Sequence, residues 1–150
     1  MGRKRRRKPK SYRDQMLSIC NSVQPFQDRI VALFRSVDWT SQSWRRDVLR
    51  LSRVYGAMVQ ALLAISPPAE HVERHVALTR GTRNLADALE NIAALVVDDS
   101  ADFDVEAAKE TLRTVTTGCV AQSLTAAKLQ QALKETPDDT ILSESPPIVA

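Results

Sequence analysis

His71 and His75, one helical turn apart, and the only two cysteines, Cys20 and Cys119, are the side chains of this sequence best suited to metal chemistry. Imidazole and thiolate are the usual ligands of Zn²⁺ and Cu⁺, and His-x-x-x-His spacing turns two imidazoles toward one helix face. Glu70 and Glu73 stand in the same segment. In the metalloprotease pattern a Glu directly follows the first His, whereas Val72 occupies that position here. Two or three ligands without a defined fourth fall short of a metal site. The simpler reading is preferred: a core His donates to a carbonyl or to an amide such as Gln122, and buried Cys acts as a small hydrophobe. Neither a metal nor another cofactor is expected. A Cys20–Cys119 disulfide would require the first and last helices to be adjacent in matching register. Two cysteines are too few for a secreted disulfide framework and point to a reducing compartment.

The second chemistry is that of a polycation. Arg3, Lys4, Arg5, Arg6, Arg7, Lys8, Lys10 and Arg13 place eight cations and no acid within residues 1–13, beneath a formal net charge of only +3. All 18 acids lie in the remainder, ten of them in residues 98–150 against four cations there. Flexible cations bind DNA or RNA phosphates by releasing condensed counterions, without reading sequence. Arg46, Arg50 and Arg53 recur at steps of four and three, with Arg45 adjacent, and would form a second phosphate-contacting stripe. Arg45 and Arg46 fall in the first turns of a helix, where the macrodipole disfavours cations, so something must compensate them. Nucleic acid is one candidate and the acidic connector Asp98 to Glu106 is the other. The tail likewise has acids of its own chain within reach, at Asp138, Asp139 and Glu144. An acidic protein surface is therefore the alternative partner, and a homo-oligomer is admitted.

Other classes are disfavoured. There is no glycine-rich phosphate loop and no Ser-His-Asp assembly, so the chain is read as non-enzymatic. No aromatic interleaves the cations, which argues against a base-stacking platform. Anionic lipid would attract the tail, but no amphipathic anchor adjoins it, and Arg6 occupies the position where myristoylation at Gly2 expects Ser or Thr. Ser11 to Asp14 stands where a signal peptide would need an apolar stretch, and no segment reaches the ~18 apolar residues of a membrane span. The expected location is intracellular: nuclear in a eukaryote, cytoplasmic in a bacterium.

These residues are held by helices. The chain is 43% hydrophobic but only 5% aromatic, with 4 glycines in 150 residues, a composition suited to aliphatic helix packing. Tyr12, Met16, Ile19, Val23, Phe26, Ile30, Leu33 and Val37 alternate steps of four and three and predict a first helix, kinked at Pro25 rather than split there, with a short helix ending near Val23 as the alternative. A second helix follows the N-cap-rich run Asp38 to Ser41, with a seam from Trp44 through Val48, Leu51, Tyr55, Met58 and Leu62 to Ile65. Ser66-Pro67-Pro68 ends it and opens a third, from about Pro68 to Val97, with His75, Leu78, Thr82, Leu85, Leu89, Ile92 and Val96 in its seam. The fourth follows the acidic connector and carries Val105, Ala108, Leu112, Val115, Cys119, Gln122, Ala126, Leu129 and Leu133. The fold class is all-α: an antiparallel up-down-up-down four-helix bundle over residues 11–135, with a disordered basic tail at 1–10 and a disordered Pro-containing acidic tail at 136–150. Counting along the hairpins puts Cys20, Met58, His75 and the turn from Cys119 to Gln122 at nearly one level.

The layout resembles a group of small bacterial helical-bundle proteins in which a Trp opens the second helix, a Pro-Pro pair precedes the third and a His follows soon after, here Trp44, Pro67-Pro68 and His75. Many of that group look like exported lipoproteins, and the resemblance implies the bundle but no activity. A basic tail stands here where those proteins carry a signal and a lipid-attachment Cys.

Overall fold

The computed structural model describes residues 10–135. The two disordered tails expected from the sequence fall outside these residues, apart from Lys10. Four α-helices account for the described chain: α1 (Tyr12–Phe34), α2 (Gln42–Ala64), α3 (Val72–Ala94) and α4 (Val105–Glu135). Short 3₁₀ turns at Ala69–His71 and Ser100–Asp102 lead into α3 and α4.

Each start has a local chemical cause. Ser11 Oγ accepts from the Asp14 amide and Ser41 Oγ from the Trp44 amide, both at 3.1 Å, satisfying donors that the first helical turn leaves open. Asp104 does the same for α4, its carboxylate accepting from the Ala107 amide at 3.0 Å. Pro25 lies within an unbroken α1, on its exposed side, so the shorter alternative for this helix is excluded. Pro68 precedes α3 but does not begin it: the backbone makes the 3₁₀ turn first, with the His71 amide donating to the Pro68 carbonyl at 2.9 Å. At its far end α3 stops three residues earlier than the periodicity suggested. There the Val97 amide leaves the helix and donates to the Trp39 carbonyl at 2.9 Å, so a tertiary bond overrides the helical one.

Contacts between the helices fix their directions. Leu33 near the end of α1 meets Trp44 near the start of α2, and Ser52 of α2 meets Ala86 of α3 while Leu62 meets His75. Thr82 of α3 meets Gln122 of α4, and α4 returns along α1 through Gln122 beside Gln27 and Gln130 beside Asn21. Neighbouring helices thus run antiparallel.

The core has two apolar halves. One gathers Ile30, Trp44, Val48, Leu51, Tyr55, Leu85, Leu89, Ile92 and Val115, and the other Tyr12, Met16, Cys20, Val23, Met58, Leu62, Leu78, Ala126, Leu129 and Leu133. Burying each large aliphatic side chain contributes roughly 1.5–3 kcal/mol, and this supplies most of the drive for association of the helices. The first half is closed by aromatic rings from both connectors, with Trp39 stacked on Phe103 at 4.8 Å and edge-on to Trp44 at 5.4 Å. The α1 seam differs by one residue at two places from the expected one. Cys20 and Gln27 are buried, whereas Ile19 and Phe26 are half-buried flanks. Val105, expected in the α4 seam, is 52% exposed.

Candidate nucleic-acid interface and the buried polar layers

Lys10 is exposed, and its backbone carbonyl accepts from Gln15 at 2.8 Å. Arg3, Lys4, Arg5, Arg6, Arg7 and Lys8 lie outside the described residues. On α2, Arg46, Arg50 and Arg53 are all exposed and share the face turned away from the core, because the buried positions Val48, Leu51 and Tyr55 occupy the opposite side. Arg50 approaches Asp47 at 3.5 Å, an i,i+3 pair in solvent of the kind that contributes at most about 1 kcal/mol. No acid pairs with Arg46 or Arg53 among the described residues.

Arg45 belongs to the framework instead. Its Nε donates to the Ala93 carbonyl at 3.2 Å, in the last turn of α3. The antiparallel start of α2 and end of α3 lie side by side, so a cation at the unfavourable end of its own helix meets the carbonyl-rich, partly negative end of the next. The acidic connector is engaged elsewhere, Asp98 accepting from Gln42 Nε2 at 3.3 Å. The compensation expected for Arg45 is therefore a helix terminus and not the connector's carboxylates.

Further exposed cations lie on the neighbouring helices. Arg80 and Arg83 of α3 line an open groove of about 400 Å³ against the end of α2, together with Leu63 and Val76. Arg29 of α1 lies 5.1 Å over the Phe26 ring and shares a groove of about 330 Å³ with Arg50. None of these three was singled out from the sequence. The signal that would have found them is the antiparallel register, which brings the Arg80/Arg83 pair of α3 alongside the second half of α2.

The buried polar groups form two layers, not the single level expected. Between the two apolar halves, Ser123 Oγ donates to Gln27 Oε1 (3.0 Å) and Gln27 Nε2 donates to Gln122 Oε1 (3.1 Å) and to the Cys119 carbonyl (2.9 Å). Gln122 Nε2 then donates to Thr82 Oγ1 (3.0 Å), whose hydroxyl in turn donates to the Leu78 carbonyl (2.8 Å). Met58 joins this layer only through a long 3.9 Å contact from Gln122 to its sulfur.

The second layer lies toward the start of α1 and α3. His75 Nε2 is 2.8 Å from the Leu62 carbonyl and Nδ1 is 2.9 Å from the Tyr12 hydroxyl. A carbonyl only accepts, so Nε2 carries the proton and Nδ1 accepts from Tyr12. The partner of His75 is thus a tyrosine and a carbonyl, and not Gln122. His71 also stacks on Tyr12, ring centroids 5.7 Å apart and planes at 14°. Burial lowers the His71 pKa, opposed in part by the Glu70 carboxylate and helped to a lesser degree by the Arg74 guanidinium.

Cys20 and Cys119 are both free, Cys20 in the half of the core that holds Tyr12 and Cys119 packed against the other half. Burial pushes the Cys20 thiol up to about 11 and shifts Cys119 in the same direction. His71 and His75 are brought together around Tyr12, but among the described residues no three His, Cys, Asp or Glu side chains gather into a metal-binding group. Nor is any described helix long and apolar enough to cross a membrane.

No protein-family model matches the chain, and no curated protein or solved structure matches it either. The likeness carried by Trp44, Pro67-Pro68 and His75 rests on layout alone.

Proposed function

We propose that the protein is a non-enzymatic, intracellular binding module whose basic tail and α2 arginine face hold the phosphate backbone of nucleic acid without reading its sequence. The observation that carries this reading is the exposure of Arg46, Arg50 and Arg53 on one helix face, while Arg45 beside them is consumed by packing. Guanidinium groups on a rigid helix suit phosphate contacts, and the cationic tail adds reach and counterion release. The test is a fluorescence-anisotropy titration of labelled random duplex with the intact chain and with a variant lacking residues 2–9. Weakened binding on deletion supports the tail's role, and failure of the intact chain to bind at low salt excludes the reading.

A second reading is favoured by one surface feature. Leu63 (55% exposed) and Val76 (46% exposed) border the groove that Arg80 and Arg83 also line. Apolar contact beside paired cations suits an acidic segment of another protein, and co-purification of a protein partner insensitive to nuclease would favour it. A metal or ligand carrier built on the His/Cys layer has less in its favour, since both ring nitrogens of His75 are already engaged.

A further inference from the structure

The outward face of α4 carries a pattern that the bundle itself does not use. From Thr114 to Ala127 this helix has no charged residue. Val120 and Leu124 are each 57% exposed, and Thr117 and Ala127 are exposed on the same side. Positions 117, 120, 124 and 127 alternate steps of three and four, which makes a second seam on the side opposite Val115, Gln122 and Leu129. Two large aliphatic side chains at that spacing, within four uncharged turns facing water, need a cover that no other described helix supplies.

The charges at the two ends of the stripe indicate what covers it. We infer that this face is the contact surface of a homodimer, in which the α4 helices of two copies lie antiparallel about a two-fold axis level with Gln122. That register sets Val120 against the partner's Leu124 and Thr117 against the partner's Ala127. It also sets Glu110 against the partner's Lys134, and the symmetry makes that contact twice. In the single chain Glu110 meets the exposed Arg113, three residues on, at 3.8 Å. Exchanging that contact for an intermolecular one therefore costs little. A parallel pairing in register would oppose like charges at both ends of the stripe, Glu110 to Glu110 and Lys134 to Lys134. The isologous contact closes at two copies, so it gives a dimer and no larger polymer. One helix pair covers less than the ~800 Å² per partner of a standard interface, so the dimer is concentration-dependent.

This inference stands apart from the nucleic-acid reading and is tested without nucleic acid. Sedimentation velocity of the full chain is run over a concentration series on the order of 1 μM to 1 mM, the range in which such interfaces exchange. The mass is expected to rise from the monomer's 16.7 kDa toward twice that value. Leu124→Asp should remain monomeric throughout, with circular dichroism confirming its helix content. Glu110→Lys should weaken the dimer about tenfold, and the double variant Glu110→Lys/Lys134→Glu should recover most of that loss. A monomer across the whole series, a dimer that Leu124→Asp leaves intact, or a double variant no tighter than the single would each overturn the proposal.

Discussion

Gln27 and Gln122 join α1 to α4 through a 3.1 Å hydrogen bond at the one level of the core where neither apolar half continues. The bond is one link in a directed chain from Ser123 to the Leu78 carbonyl, in which each donor finds an acceptor. Such a layer adds modest stability when complete and is costly when broken, because a buried amide left without a partner keeps its full desolvation penalty.

Gln122→Leu is accordingly expected to destabilise the bundle by roughly 1–3 kcal/mol in urea unfolding, since it removes one of the two acceptors of Gln27 Nε2 and the bond that the Thr82 hydroxyl accepts. Gln27→Leu should cost less, as it lies at the edge of the layer with Ser123. A double-mutant cycle between the two should show coupling of about 0.5 kcal/mol or more. Strict additivity would mean that the layer does not act as a unit.

The glycines of α2 and α4 should respond to alanine with opposite signs. A methyl at Gly56 meets no atom within 4 Å, so Gly56→Ala should stabilise by roughly 0.5–1 kcal/mol through helix propensity alone. At Gly118 the new methyl would lie 2.9 Å from Leu85 Cδ2 and 3.3 Å from its Cγ, against a side chain with no exposed surface. The overpacking of roughly 1–3 kcal/mol exceeds the propensity gain, and the melting temperature of Gly118→Ala should fall.

Much of this arrangement is legible in the sequence, and the misses have identifiable causes. Four helices, an N-cap within the run Asp38 to Ser41 and the Pro67-Pro68 boundary follow from periodicity and from the chemistry of polar caps and proline. Gln27 escaped because Phe26 is more hydrophobic and occupies the adjacent position. An α-helix turns 3.6 residues at a time, so a strict alternation of three and four cannot decide which of two neighbours is innermost. Val97 left α3 for the Trp39 carbonyl, a partner 58 residues away that no local rule reveals. The histidine layer was displaced for the same kind of reason: the partners of His75 depend on how far α1 and α2 extend before turning. The arginine stripe was readable because its members share one helix, whereas Arg80 and Arg83 became neighbours of α2 only through register.

The stability of the bundle should fall as the solution is acidified below the ordinary histidine pKa of 6.5. His71 has a folded pKa below its ordinary 6.5 because burial opposes its charged form. Between the folded and unfolded values the unfolded chain binds more protons, so stability is lost as the solution is acidified through that window. Thermal melts of His71→Phe, which keeps a ring stacked on Tyr12, should show a shallower pH slope there. An unchanged slope would assign the dependence to other groups.

The cysteines should be slow toward thiol reagents in the native protein. Only the thiolate reacts, and burial holds the Cys20 thiol near 11 while leaving just 5% of the residue exposed. At neutral pH Cys119, which is half-buried, should label first and Cys20 last, with both labelling quickly in denaturant. Mass spectrometry after timed alkylation gives the order directly, and equal rates for the two in the native state would contradict the packing described.

The most direct test of phosphate binding is the salt dependence of affinity for a random duplex, compared between the intact chain and Arg46→Gln/Arg50→Gln/Arg53→Gln. Each phosphate contact contributes a slope of about −0.9 in log K against log salt. The arginine face predicts a steep slope for the intact protein and one shallower by roughly 2–3 in the triple variant, with the helix content unchanged. The same slope in both proteins, or affinity that salt does not alter, would contradict a phosphate-holding role for α2.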